Sequence, residues 1–338
     1  MGMTVADHLA ASLLAHDVRR VFGVPSESFT TFMDSLYGTA DLEFVQTRHE
    51  GGAAFMAEAH AAASGRTGVV LGGRAPGAAN LSIGVHAALE NSTPLLVLVG
   101  QMTSVNRGRE GFQETDLAAF LGPVAKYAVE ESDPLRVPRA VTRALRLARS
   151  GRPGPVVLSL PEDVFGKYTD AEPARPARFP RPAPAQGDIA ELHEMLAAAR
   201  RPLIVAGGGV KLSGAEPRLV EVAERWGLPV AAAWRRHDAF GNDHPRYVGH
   251  LGIGTHPDVI RSVEEADLIL AIGARLNENT TRGYTAISPQ ASIAQIDIEA
   301  SMIGKAYPAD LGIVADVDTA LAAMLEQGPA GREPTEWA

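Results

Sequence analysis

The sequence contains no cysteine. Disulfide bonds, thiolate nucleophiles and cysteine-ligated metals are therefore excluded. Positive charge is also scarce: 31 lysines and arginines stand against 40 aspartates and glutamates, for a formal net charge of −9. That balance argues against a general nucleic-acid or anionic-membrane surface, but it leaves room for a local basic pocket. No apolar run approaches the about 20 residues that a membrane span requires. Residues Met1 to Asp7 lack the basic and apolar regions of a signal peptide, so a cytoplasmic protein is expected. The ten histidines form no H-E-x-x-H pattern, and neither a G-x-S-x-G elbow nor a P-loop occurs. A hydrolase or NTPase is not expected, nor a metal site of the chain's own.

What is present suits a globular protein. The 338 residues are 46% hydrophobic and 21% charged, enough for two ordinary α/β domains with real cores. A Thr4-x-x-Asp7 capping pattern opens a helix with Val5, Leu9 and Leu13 on one face. A helix over about 28–37, a strand over Leu42–Gln46 and an alanine-rich helix from about Gly51 to Ala63 follow. The runs Val69–Leu71, Leu95–Val99 and Val156–Leu160 read as strands buried on both faces, with a helix over about 135–148 before the last. Five prolines in the stretch 171–187 predict an extended linker. Beyond it the rhythm restarts, with strands at 203–206, 230–233, 268–272 and 293–298 and helices at 214–226, 256–264 and 317–326. The expected fold class is α/β, with two doubly wound parallel-sheet domains joined by a Pro-rich linker. The expected boundaries are 1–168, linker 169–187, and 188–330, with a polar tail from Gly328 to Ala338.

In such sheets ligands bind at the carboxyl ends of strands. Three segments in the first expected domain follow strands this way. Thr47-Arg48-His49-Glu50-Gly51-Gly52 places a glutamate at a strand end and helix start, where the helix terminus favours its ionised form and burial its neutral form. By spacing alone, a glutamate that merely meets the helix dipole is the commoner case. Gly72-Gly73-Arg74-Ala75-Pro76-Gly77 reads as a turn into a helix, exposing backbone to a ligand or simply connecting two elements. Arg107 to Asp116 reads as a long loop, functional or merely superficial. In the second half, Gly207-Gly208-Gly209 fails the full dinucleotide fingerprint, because Leu212 stands in place of the third glycine. Arg235-Arg236-His237-Asp238 could hold a phosphate, though a solvated turn is the commoner reading.

Taken together, ordered motifs across nearly the whole chain resemble acetolactate synthase-like thiamine-diphosphate enzymes. Phe22-Gly23-Val24-Pro25, Arg48-His49-Glu50-Gly51-Gly52-Ala53, Pro76-Gly77-Ala78-Ala79-Asn80, Gly100-Gln101, Phe112-Gln113-Glu114 and Gly151-Arg152-Pro153-Gly154-Pro155 resemble the family's pyrimidine-binding domain. Gly207-Gly208-Gly209, Leu251-Gly252-Ile253-Gly254 and Ala266 to Leu276 resemble its central domain. The resemblance implies thiamine diphosphate as cofactor and a small 2-oxo acid as substrate. It implies that Glu50 is the catalytic residue, hydrogen-bonded to the aminopyrimidine and promoting loss of the thiazolium C2 proton. Pro25, Asn80 and Gln113 join Glu50 as cofactor-binding residues, with Ser26, Arg74 and Phe112 in the substrate pocket and Gln101 in a supporting role. Arg74 departs from the family's Ser-Gly-Pro-Gly turn, and either reads a substrate carboxylate or faces solvent.

The family's G-D-G…N motif, which holds Mg2+ and the diphosphate, does not occur in the sequence; Gly187-Asp188-Ile189 comes nearest. The resemblance therefore implies a split enzyme, active with a diphosphate-binding partner that holds the Mg2+. It also implies self-association through the pyrimidine domains, with a heterotetramer as the expected assembly. FAD in the central domain is the lesser alternative, with Arg152 and Arg275 in motifs that can face such a nucleotide. Two other readings stay open: a non-catalytic binding or regulatory subunit that keeps the fold, and a stand-alone nucleotide-binding oxidoreductase.

Overall fold

A computed structural model describes residues 2–176, 178–328 and Trp337. The chain divides into two compact units, Met1–Phe179 and Pro180–Ala338. Among the described residues, no helix is long and apolar enough to cross a membrane.

Unit one runs β1 (Met3–Thr4), α1 (Val5–Ala15), β2 (Arg20–Gly23), α2 (Thr30–Gly38), β3 (Glu43–Gln46), α3 (Glu50–Ser64), β4 (Gly68–Gly73) and α4 (Arg74–Asn91). It continues β5 (Leu95–Gln101), α5 (Leu117–Leu121), β6 (Tyr127–Glu130), α6 (Val137–Arg149), β7 (Pro155–Pro161) and β8 (Tyr168–Thr169). Six strands form one parallel sheet in the order β3-β2-β4-β5-β7-β6. Because strand side chains alternate, the apolar runs feed two cores. Val69, Leu71, Leu96, Leu98, Val156 and Leu158 pack with α1, α2 and α6 on one face. Val70, Leu95, Val97, Val99 and Val157 pack with α3, α4 and α5 on the other. Each such side chain contributes about 1.5–3 kcal/mol by leaving water. That is why β4, β5 and β7 are mostly apolar, with the buried Gln101 of β5 and Ser159 of β7 hydrogen-bonded to Glu130.

Unit two runs α7 (Gln186–Ala198), β9 (Pro202–Ala206), α8 (Gly208–Ser213), α9 (Glu216–Trp226), β10 (Val230–Ala232), β11 (Tyr247–His250) and α10 (Pro257–Glu265). It ends with β12 (Leu268–Ile272), β13 (Ser292–Asp297), β14 (Leu311–Val314) and α11 (Val317–Gln327). Its parallel sheet has the order β11-β10-β9-β12-β13-β14. Ile204, Leu268, Leu270 and Ile296 pack against α7, α9 and α11. Leu203, Val205, Ile269 and Ile293 face the opposite side with α10.

The expected α/β class with two parallel sheets is what the structure has. Several details differ. The edge strands β6, β11 and β14 have no counterpart in the apolar runs, nor do helices α7 and α8. Residues 74–77 form no turn: Arg74 already begins α4, with Gly73 as its cap. Most of the polar tail, and Ala177 of the Pro-rich stretch, lie outside the described residues. Trp337 is not frayed, since its indole Nε1 donates to the Pro202 carbonyl at 3.1 Å.

Candidate functional site

In unit one, β3 and β4 lie on opposite sides of β2, so the chain reverses direction across the sheet between β2 and β4. Such a switch point opens a crevice beyond the strands' carboxyl ends. Val24-Pro25-Ser26 leaves β2 there and Gly73-Arg74 leaves β4. The two connections meet closely: a Cβ on Gly73 would lie 2.0 Å from Ser26 Oγ. Ser26 Oγ in turn lies 3.0 Å from Ser28 Oγ. Pro25 is exposed.

Glu50 follows β3 and is the first residue of α3. His49 caps the helix, its Nδ1 accepting from the Gly51 N–H at 3.0 Å. Thr47 ties the approach to β2, donating its backbone N–H to the Gly23 carbonyl at 2.8 Å. The half-buried Glu50 carboxylate meets α4, where Asn80 Nδ2 donates to Glu50 Oε2 at 2.9 Å. Oε1 accepts no hydrogen bond from any described residue. A Cβ on Gly77 would stand 3.3 Å from that oxygen, so glycine there keeps its surroundings open.

Small residues make this pairing possible. A Cβ on Gly84 would lie only 2.4 Å from the Ala54 Cβ, so α3 and α4 approach more closely than any larger pair would allow. Ala54 is four residues after Glu50, and Gly84 four after Asn80. Residues four apart share a helix face, so the tight crossing lies one turn from the carboxylate–amide pair.

Arg74 and Phe112 form a second cluster. The Arg74 guanidinium lies 5.8 Å from the Phe112 ring centroid, and its Nη2 donates to Glu162 Oε2 at 2.9 Å. Its Nε is buried without a hydrogen-bond partner. Arg74 adopts φ +47° and Gln113 φ +60°, left-handed values that side chains other than glycine rarely take. Such strain costs on the order of 1–3 kcal/mol, and it collects at ligand sites. Phe112 and Gln113 are exposed. No hydrogen bond joins Gln113 to Glu50 or Asn80. The structure thus brings Glu50 to Asn80, and Arg74 to Phe112. The start of α4 carries Arg74, Gly77 and Asn80, and so belongs to both clusters.

The segment that presents Phe112 and Gln113 is tied down by Gln101, Arg107 and Glu114 together with Ser104, Glu130 and Asp163, which motif reading missed. Asp163 accepts from Ser104 N at 2.8 Å and Ser104 Oγ at 2.6 Å. Arg107 pairs with Glu130 at 2.9 Å, and Gln101 Nε2 donates to Glu130 Oε2 at 3.1 Å and to the Thr115 carbonyl at 2.9 Å. Glu114 accepts from Gly108 N at 2.7 Å and Gly111 N at 3.0 Å. Those two backbone donors hold its carboxyl below the ordinary carboxylate range. Glu162 and Asp163 directly follow β7, so inspection of every strand end would have found them. Glu130 lies on the unforeseen edge strand β6.

Unit two shows a different use of glycine. A Cβ on Gly207 would lie 2.2 Å from the Gly273 carbonyl oxygen. The Gly207 and Gly209 N–H groups already donate to Ile272 and Gly273, at 2.9 and 3.1 Å. These glycines serve close packing between the β9 and β12 connections. Arg152, too, has a structural use: it donates to Ser92 Oγ and the Leu89 carbonyl, both at 2.8 Å, at the end of α4.

An aminopyrimidine ring offers nitrogen donors and acceptors on a flat apolar body. A half-buried carboxylate with one oxygen held and one free, beside a glycine, fits such a ring. Among the described residues a metal-bound diphosphate finds no such match. No group of three or more His, Cys, Asp or Glu among the described residues could hold a metal ion. Asp188, in the segment nearest to G-D-G, accepts from Ala185 N at 3.3 Å at the start of α7.

Residues 3–120 match the thiamine pyrophosphate enzyme N-terminal TPP binding domain, and residues 189–324 match the thiamine pyrophosphate enzyme central domain. Among curated relatives, a probable acetolactate synthase large subunit of Methanocaldococcus jannaschii is 34% identical over 330 residues, 96% of this chain and 56% of that protein. The acetolactate synthase isozyme 3 large subunit of Escherichia coli is 33% identical over 95% of this chain and 57% of its own length. A sulfoacetaldehyde acetyltransferase of Rhodobacter capsulatus is 33% identical over 94% of this chain and 54% of its own length. The chain spans little more than half the length of these relatives. The sheet topology and the two matched domains agree, and the chain belongs to the thiamine pyrophosphate enzymes, of which it carries the N-terminal and central domains.

Proposed function

We propose that this chain supplies the pyrimidine-facing half of a thiamine diphosphate site in a 2-oxo-acid decarboxylase or carboligase of the acetolactate synthase type. It acts as the subunit of a split enzyme whose partner grips the diphosphate through Mg2+. The observation that carries this reading is the Glu50 carboxylate, with Oε2 fixed by Asn80 and Oε1 without a protein donor.

When bound, the cofactor supplies the carbon nucleophile that attacks the substrate carbonyl. Glu50 Oε1 exchanges a proton with the pyrimidine ring nitrogen, and this is its general acid–base role. Asn80 keeps the carboxylate aimed by fixing its other oxygen. Phe112 and Gln113, held by the Glu130 and Asp163 anchors, cover the substrate side, while Pro25 and Ser26 line the β2 end of the crevice. The relatives' names, acetolactate synthase and sulfoacetaldehyde acetyltransferase, support a reaction of this type without choosing the acid. FAD stays the lesser alternative, since the Gly207 and Gly209 N–H groups already donate to backbone carbonyls.

Self-association completes the proposal. Phe55 and Met56 on α3 are each 44% exposed and Ile83 on α4 is 60% exposed, and a second copy of unit one would cover them. A heterotetramer in the cytoplasm is the assembly we infer.

The test mixes the full chain with a separately produced diphosphate-binding domain of the family. Thiamine diphosphate affinity and 2-oxo-acid consumption are then followed. Both should rise on mixing, and Glu50→Gln should abolish consumption while circular dichroism stays unchanged. If mixing adds no cofactor affinity, the chain is a non-catalytic binding subunit instead.

A further inference from the structure

A cavity of about 340 Å³ opens beyond the carboxyl ends of β4, β5 and β7, within the size range of small-molecule sites. Arg74, Arg109, Thr103, Met102, Phe112 and Glu162 line it. Its formal charge is positive, because two arginines meet a single carboxylate. Arg74 is paired with that carboxylate, whereas Arg109 has no ion-pair partner among the described residues and is exposed. Glu162 and the Phe112 face hold the Arg74 guanidinium in place, so one edge of the anion site is preorganised. Guanidinium groups present planar, paired donors suited to oxyanions. Beside the charges, Met102 and Phe112 add apolar surface to the lining. Backbone strain occurs at the lining residue Arg74 and at Glu110 (φ +56°) and Gln113, each next in sequence to a lining residue.

We propose that this cavity binds the anionic arm of the substrate: a small organic acid whose carboxylate sits between Arg74 and Arg109 and whose carbon chain lies along Met102 and Phe112. The word substrate rests on the proposed function above; the anion site itself requires neither cofactor nor partner. A substrate of this class carries a carboxylate distal to its reacting carbonyl, beyond the one that a 2-oxo acid already has. Arg74 and Arg109 are then specificity-determining residues, selecting dicarboxylic over monocarboxylic substrates.

The experiment titrates succinate, with neutral succinamide as control, into the full 338-residue chain at low ionic strength. Binding is read by calorimetry and by the rise in melting temperature. Succinate should bind and succinamide should not. Arg109→Gln and Arg74→Gln should each weaken succinate binding about tenfold or more, the factor that corresponds to about 1.4 kcal/mol. Arg109 is exposed, so its variant folds even if Arg74→Gln does not. Absence of succinate binding, or equal binding of succinamide, overturns the proposal. So does wild-type affinity in Arg109→Gln. Loss of turnover in the reconstituted Glu50→Gln mixture, together with absent succinate binding, would sink only this inference. Retained turnover in Glu50→Gln, with arginine-dependent succinate binding, would sink only the reading of Glu50.

Discussion

Asn80 Nδ2 and Glu50 Oε2 lie 2.9 Å apart, at the point where the starts of α3 and α4 meet. The amide fixes one carboxylate oxygen and leaves the other to a ligand. Replacing Asn80 by Ala removes one hydrogen bond to a charged group, worth about 1.5–3 kcal/mol. We expect turnover of the reconstituted enzyme to fall about ten- to hundredfold, against abolition in Glu50→Gln. Initial rates, with circular dichroism as the folding control, separate the two outcomes.

The crossing beside that pair is equally sensitive. A Cβ at position 84 would collide with Ala54 Cβ at 2.4 Å. Gly84→Val must push α3 from α4, an overpacking cost of about 1–3 kcal/mol. Urea unfolding should show the loss, and cofactor affinity of the mixed complex should drop with it. Unchanged stability would mean that the helices have slack the structure does not display.

The anchors of the 103–116 segment give a third expectation. Arg107 and Glu130 are partly shielded from water, with side chains 29% and 18% exposed. Removing the Glu130 charge leaves Arg107 with only the longer Glu114 ion pair at 3.4 Å and takes the charged acceptor from Gln101. Glu130→Gln should therefore speed amide hydrogen exchange around Phe112 while leaving β4 and β5 protected. Uniform exchange across the sheet would instead point to global destabilisation.

Acid should weaken each unit. Burial pushes the His8 and His193 imidazoles below their ordinary value of 6.5. Each folded unit therefore favours the neutral ring, while the unfolded chain takes up a proton readily. Their contribution is fully present above about pH 6.5 and is lost as pH falls through the lower folded value. Thermal melting across pH 7.5 to 5 should show a decline. His193→Phe should flatten the part due to unit two, since the ring stacked on Trp226 at 5.6 Å is retained without a titrating group.

Self-association is open to direct measurement. A charge at an apolar interface is costly, so Phe55→Glu with Ile83→Glu should shift sedimentation toward the monomer. A variant that sediments like the parent would place the interface elsewhere.

The sequence by itself determined the two parallel sheets and their central strands. Strands such as β5 are covered by helices on both sides, so the run Leu95 to Val99 is apolar and the buried Gln101 at its end is hydrogen-bonded. The edge strands carry a weaker signal. Leu311 and Ile313 of β14 are buried, while Gly312 and Val314 face outward, and a two-residue alternation is easily lost. Helix α8 was hidden behind glycines weighed only as an incomplete dinucleotide fingerprint. Glu50 and Asn80 were singled out through their motifs, and the spacing of each within its helix was legible too. Only the tertiary structure decided which residues meet. Arg74 and Glu162 are 88 positions apart, and Ser104 and Asp163 are 59 apart. Those pairings follow from strand order in the sheet, and strand order is set by how the helices pack, information that no local pattern of residues carries.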